Sequence, residues 1–109
     1  MITTVNISVA KDATKKVYTA TEPCRVVLVR VAQSLSIKIN ATASSSDSDF
    51  GLNNSYMATM SNNSGLFGRN VTSIGDVISF DLEKGDYISM NYYPYASLTY
   101  TGTLYVYTR

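Results

Sequence analysis

Along this chain apolar residues recur at every second position, and no stretch carries a helical pattern. Val5, Ile7 and Val9 alternate with Asn6 and Ser8; Leu35, Ile37, Ile39 and Ala41 alternate with Ser36, Lys38 and Asn40; Leu104 and Val106 alternate with Tyr105 and Tyr107. Successive side chains of a strand point to opposite faces, so a period of two is the signature of a half-buried strand. β-branched and aromatic residues dominate the apolar stretches, which fits the same conformation. Together these features restrict the chain to an all-β architecture.

Turn signals divide the sequence into about eight strands. Lys11-Asp12-Ala13 closes the first run, and a short second run surrounds Val17-Tyr18-Thr19-Ala20. After Glu22-Pro23 comes Cys24 to Ala32, apolar on both faces in its middle, as expected of a central strand covered from two sides. Gln33-Ser34 separates it from the Leu35 run, a spacing that fits a hairpin or a sharp corner. Two polar stretches, 42–55 and 61–70, read as the longest loops, with a weak strand over Tyr56 to Met60 between them. The final third holds three runs: Val77 to Leu82, Tyr87 to Tyr93 and Leu98 to Thr108. If the first two are neighbours across Glu83-Lys84-Gly85, with Gly85 in the left-handed region, Phe80 faces Ile88 and Ile78 faces Met90. If the turn is an arch between two sheets, that register does not apply. The 109 residues make one domain, 1–109, and the pattern predicts a single-domain β-sandwich, jelly-roll-like, with about eight antiparallel strands.

Composition narrows the function. There is no histidine, so the commonest general base and metal ligand is missing, and no serine has a recognisable base beside it. Asp81, Glu83 and Asp86 cluster at the proposed turn, where carboxylates ordinarily serve as solvated groups. Asp47-Ser48-Asp49-Phe50-Gly51-Leu52-Asn53 has oxygen ligands at alternate positions, but Ala58 stands where an EF-hand requires glutamate. The expectation is a protein that is not an enzyme, with no metal and no cofactor. A net charge of +1 gives no reason to expect nucleic acid or an anionic membrane as partner. No apolar run is long enough to span a bilayer as a helix, and residues 1–6 carry neither a basic region nor a hydrophobic stretch, so no secretion signal is expected. The single cysteine, Cys24, excludes an intramolecular disulfide and is expected to be a buried thiol.

Seven of the nine tyrosines fall in residues 87–109. The strand phases divide them: Tyr92 with Ile88 and Met90, and Tyr100 with Leu98, Leu104 and Val106, belong to the core. Tyr87, Tyr93, Tyr105 and Tyr107 take the opposite phase, and Tyr95 lies beyond the break at Pro94. A tyrosine ring buries well while its hydroxyl finds a partner, which is why tyrosine is enriched at interfaces. These five are the candidate surface for an oligomer or another partner. A second reading takes Tyr92, Tyr93 and Tyr95, with the loops Ser44 to Asn54 and Ser61 to Arg69, as the surface of a carbohydrate- or receptor-binding module, with a glycan stacked on the rings.

Two stretches resemble a known class of protein. Val17-Tyr18-Thr19-Ala20-Thr21-Glu22-Pro23-Cys24-Arg25-Val26-Val27-Leu28 resembles the opening of many small bacteriophage virion modules. Leu82-Glu83-Lys84-Gly85-Asp86-Tyr87-Ile88-Ser89-Met90 is similar to the Leu-x-x-Gly-Asp-x-hydrophobic segment of TNF-like and C1q-like jelly rolls and of phage head-fibre or capsid-decoration domains. The resemblance implies a homotrimer of jelly rolls, self-associating through aromatic faces and attached to a major capsid protein or another virion surface. It also implies a protein assembled in the host cytoplasm and located in the virion. The sequence has no collagen-like or coiled-coil shaft, which favours a compact decoration, cementing or auxiliary capsid protein over a long fibre.

Overall fold

The computed structural model describes residues 1–31, 35–44, 56–61, 64–69, 76–94 and 99–108, with side chains described at 1–29, 35–44, 79, 81–94 and 99–108. Among these residues are nine strands and no helix: β1 (Ile2–Ala10), β2 (Thr14–Thr19), β3 (Cys24–Val31), β4 (Leu35–Ile39), β5 (Tyr56–Ser61), β6 (Ser64–Arg69), β7 (Asp76–Leu82), β8 (Tyr87–Tyr92) and β9 (Thr99–Thr108). They form two antiparallel sheets packed as a sandwich. Sheet 1 has the order β1-β9-β3-β7, and sheet 2 the order β2-β8-β4-β6-β5.

The pairing has a simple rule. β1 pairs with β9, β2 with β8, β3 with β7 and β4 with β6, so the chain runs out along one arm of a long antiparallel ribbon and returns along the other. Two further pairings, β3 with β9 and β4 with β8, bring turns of that ribbon side by side. Each step β1→β2, β3→β4 and β7→β8 passes from one sheet to the other.

Register decides which residues enter the core. Directly opposed residues share a face, so Val5, Leu104 and Leu28 form one inward row, and Val106 and Val26 another. From sheet 2 come Leu35 beside Tyr92, Ile37 beside Met90 and Ile39 beside Ile88. All but the half-buried Val5 are buried, and they join Ile7, Val9, Cys24, Leu82 and Tyr100 in one continuous core. Cys24 is the buried thiol that its sequence position predicts. Tyr92 and Tyr100 enter the core in their predicted phase and meet across the sheets, ring centroids 5.8 Å apart. Gly102 makes room for this pair: a Cβ there would strike the Tyr100 ring, which lies along its own strand over the glycine.

Four expectations change. β7 and β8 lie in different sheets, so Glu83-Lys84-Gly85 is an arch and the hairpin register does not apply. Gly85 does take the left-handed backbone, φ +91°, and donates its N–H to the Ala20 carbonyl at 2.9 Å, tying this arch to the β2–β3 connection. The outer face of β4 is not solvent-exposed at Ser36, which is fully buried, while Lys38 beside it is half-buried. The strand stops at Ile39 rather than Ala41, where Asn40 adopts φ +61°. Finally, the polar stretch 61–70 is not a loop throughout: Ser64–Arg69 is β6, held between β4 and β5. Its two glycines, Gly65 and Gly68, depress local strand preference, and pairing on both sides overrides it.

Candidate functional site

The sandwich leaves two outward faces, and they differ in kind. On sheet 1 the register sets Ile2, Tyr107, Arg25 and Asp81 in one outward row, and Thr4, Tyr105, Val27 and Ser79 in the next. A third holds Asn6, Thr103 and Val29. Ile2 is 60% exposed and Tyr107 39%, while Tyr105, Val27 and Val29 are half-buried by one another on a face over which, among the described residues, no strand stacks. The middle of β3 is apolar on both sides, as the sequence predicts, but only its inner side is covered by the second sheet.

Among the described side chains of this face, charge is confined to its edge row. Arg25 Nε and Nη2 donate to Asp81 Oδ1 and Oδ2 at 3.2 and 3.3 Å, and Nη1 donates to Ser79 Oγ at 3.3 Å. Both charged side chains are about half exposed, so the pair contributes little to stability, but it neutralises the flank of the aromatic row. Asp81 points outward, as alternation predicts, and serves as the partner of Arg25.

Sheet 2 is the reverse. Ser36, Ser89 and Asn91 occupy outward positions on β4 and β8, yet all three are buried. Ser89 and Asn91 hold other segments of the same chain. Asn91 Nδ2 donates to the Ala13 carbonyl at 3.2 Å and to Thr14 Oγ1 at 2.9 Å; Thr14 Oγ1 donates onward to the Ala43 carbonyl; the Ala43 N–H returns to Ser89 Oγ at 2.9 Å. Asn40 completes the clamp. Its Oδ1 accepts from the Tyr87 N–H and its Nδ2 donates to Asp86 Oδ1, both at 2.9 Å.

The five predicted interface tyrosines therefore do not form one patch. Tyr105 and Tyr107 stand together on the open face of sheet 1. Tyr87 begins β8 on sheet 2, with Lys16 Nζ 4.1 Å above its ring centre, a cation–π contact. Tyr93 follows the end of the same strand and is half-buried. Tyr95 lies outside the described residues, as do the calcium-like run Asp47 to Asn53 and most of the loop 42–55. Tyr92 cannot serve as a sugar-stacking platform, because its ring is buried against Tyr100.

Sequence reasoning missed Ile2, Val27 and Val29 as members of the same face. The signal was present in the double-sided apolar run of β3, but it reads equally as a strand covered from both sides. The Tyr18 hydroxyl on β2 is pushed above its ordinary range by burial first, then by Cys24 and the Glu22 carboxylate. A shallow groove of about 350 Å³ runs along β1 and β9, lined by Asn6, Ser8, Thr101 and Thr103. No protein-family model, curated protein or solved structure matches this chain.

Proposed function

We propose that the chain is a non-enzymatic virion structural protein, a homotrimeric decoration or auxiliary protein of a phage capsid, built as a jelly roll. The observation that carries this reading is the outward apolar group of Ile2, Tyr107, Tyr105, Val27 and Val29, spread over three neighbouring rows of a sheet whose other face already forms the core. A contiguous apolar face on a small β-domain is normally closed by a partner, and symmetric self-association is the commonest closure. The ribbon pairing supports the jelly-roll part of the reading, since a long antiparallel ribbon wound into two sheets is how that fold is built.

The test is solution mass. A trimer of 11.9 kDa chains sediments at about 36 kDa, three times the chain mass, at micromolar concentration. A clean monomer there counts against the proposal. Attachment to a capsid is tested separately, by cosedimentation of the purified protein with phage capsids lacking it.

A further inference from the structure

We propose that two copies of this chain join edge to edge through β1, antiparallel about a two-fold axis at Thr4, so that sheet 1 continues from one molecule into the next. This contact is distinct from the trimer proposed above, which closes the outer face of sheet 1, and does not depend on it.

The direction of the free backbone groups follows from the ladder. Met1 and Thr108 exchange hydrogen bonds, Thr108 N–H to the Met1 carbonyl at 3.0 Å and the Met1 amino group to the Thr108 carbonyl at 3.4 Å. The β1–β9 register then runs without a bulge from Ile2↔Tyr107 to Ala10↔Thr99. In an antiparallel pair, bonded and non-bonded positions alternate, so the odd residues of β1 bond to β9. The even residues Ile2, Thr4, Asn6, Ser8 and Ala10 turn their N–H and C=O away from it. Two contacts agree with that parity: the Ser8 carbonyl accepts from Lys15 Nζ at 3.2 Å, and the Ala10 carbonyl accepts from the Ala13 N–H at 3.0 Å. What is left open is the stretch Ile2, Thr4 and Asn6, all three exposed.

An open edge is ordinarily blunted by charge, proline or a bulge. β2 carries Lys15, Lys16 and a bulge between Lys16 and Tyr18, and β7 carries Asp76 and Asp81. β5 is uncharged but only six residues long. β1 has nine residues, Ile-Thr-Thr-Val-Asn-Ile-Ser-Val-Ala, with no charge, no proline and no bulge. The occupant is a second β1 because the edge is complementary to itself. Placing Thr4 against the partner's Thr4, and Ile2 against the partner's Asn6, matches each outward N–H with an outward C=O across a two-fold axis. A register two residues longer would need the Ser8 carbonyl that Lys15 already holds. The outward Ile2 then packs at the seam, next to Tyr107 on its own sheet.

Thr4→Pro tests this directly. Its N–H is not used within the molecule, and proline is tolerated on an edge strand whose N–H faces solvent. The expected wild-type mass is an even multiple of the chain: about 71 kDa, six times 11.9 kDa, when the proposed trimer pairs through this edge, and about 24 kDa, twice 11.9 kDa, for the pair alone. Thr4→Pro is expected to weaken the pairing at least tenfold while the circular dichroism stays unchanged. As a second measurement, Thr4→Cys places the only accessible thiol at the axis, Cys24 being buried, and a short bis-maleimide should link two chains within minutes. Glu83→Cys, on the exposed β7–β8 arch, should not link. A wild type that is only monomeric, or only a trimer of about 36 kDa, three times 11.9 kDa, overturns the proposal. So does a folded Thr4→Pro protein of unchanged mass, and a 36 kDa trimer persisting in that variant would leave the trimer reading standing. If Thr4→Pro fails to fold, absence of the Thr4→Cys link overturns the proposal and its presence supports it.

Discussion

The outer faces of the two sheets invert the usual expectation. Sheet 1 shows solvent valines and tyrosines; sheet 2 hides serine and asparagine. The difference lies in where each face finds its partner. Polar side chains on sheet 2 are buried because they hold the chain's own backbone: Ser89 holds Ala43, Asn91 holds Ala13 and Thr14, and Asn40 holds Tyr87. Apolar side chains on sheet 1 have no backbone to hold and no second layer above them among the described strands. Thus the outward Ser89 and Asn91 of sheet 2 find partners within the molecule, and the outward apolar groups of sheet 1 are covered by no described strand.

The comparison breaks first at Asn91. Asn91→Ala removes the donor to Ala13 and Thr14 beneath their cover, and a buried hydrogen bond lost with its partners left unpaired costs about 2–3 kcal/mol. Urea unfolding at fixed protein concentration measures it. A loss below about 0.5 kcal/mol would mean that the covering segment is not held by this network.

Asn40 gives a smaller and more diagnostic effect. Asn40→Gly loses the side-chain bonds but keeps a left-handed backbone without strain, whereas Asn40→Ala loses the bonds and adds strain. Alanine is therefore expected to be the worse substitution, by about 1 kcal/mol, on top of a shared loss of about 1 kcal/mol. Equal losses would show that the backbone at this corner relaxes freely.

Ser36 should go the other way. Its Oγ is buried with no hydrogen-bond partner in the structure, directly opposite Asn91, whose Oδ1 is also unpartnered. Ser36→Ala removes an unpaired buried polar atom, so stability should rise, by up to about 1 kcal/mol. A clear loss in the same urea titration would place an ordered water between Ser36 and Asn91.

Much of this contrast was illegible in the sequence. The alternation in β1, β8 and β9 assigned Ile7, Val9, Ile88, Met90, Leu104 and Val106 to the core, and it separated Tyr92 and Tyr100 from the other tyrosines. That information is local, because a strand's period is written in consecutive residues. Whether an outward face stays open is not local. Ser89 reads as solvated in its own strand and is buried where Ala43 folds back to donate its N–H to the Ser89 hydroxyl. β6 was hidden by its glycines and exists through pairing with β4 and β5. Gly85 was recognisable as a left-handed position, yet its turn could not disclose whether it joined neighbours in one sheet or arched between two.

The open face makes a prediction of near-zero effect on one scale and a large effect on another. Tyr105→Ser with Tyr107→Ser should change the unfolding free energy of the isolated chain by no more than about 0.5 kcal/mol per site, since the substitutions lie outside the core. The same variant should lose the trimer in analytical ultracentrifugation while keeping the edge pair through β1. Severe destabilisation without any change in mass would assign these rings to the fold itself, and the contrast between the two faces would fail.

The smallest effect concerns the end of the sandwich, which belongs to neither outer face. Tyr18 on β2 packs against the shared core and lies near Cys24 at the start of β3, so it reports on contact between the sheets. Its hydroxyl is held above the ordinary tyrosine range because burial disfavours the phenolate, with Cys24 and Glu22 pushing the same way. Below pH about 10 the group is neutral folded and unfolded, and it contributes no pH dependence. As pH rises past that value the unfolded chain releases the proton first, so the folded state binds more protons and stability falls until the folded group ionises too. Tyr18→Phe should therefore flatten the alkaline slope of the urea midpoint, and the difference absorbance of wild type minus Tyr18→Phe should show a phenolate forming above pH 10. An unchanged slope, with a phenolate appearing at the ordinary tyrosine pH, would mean that this end of the sandwich is open to water in solution.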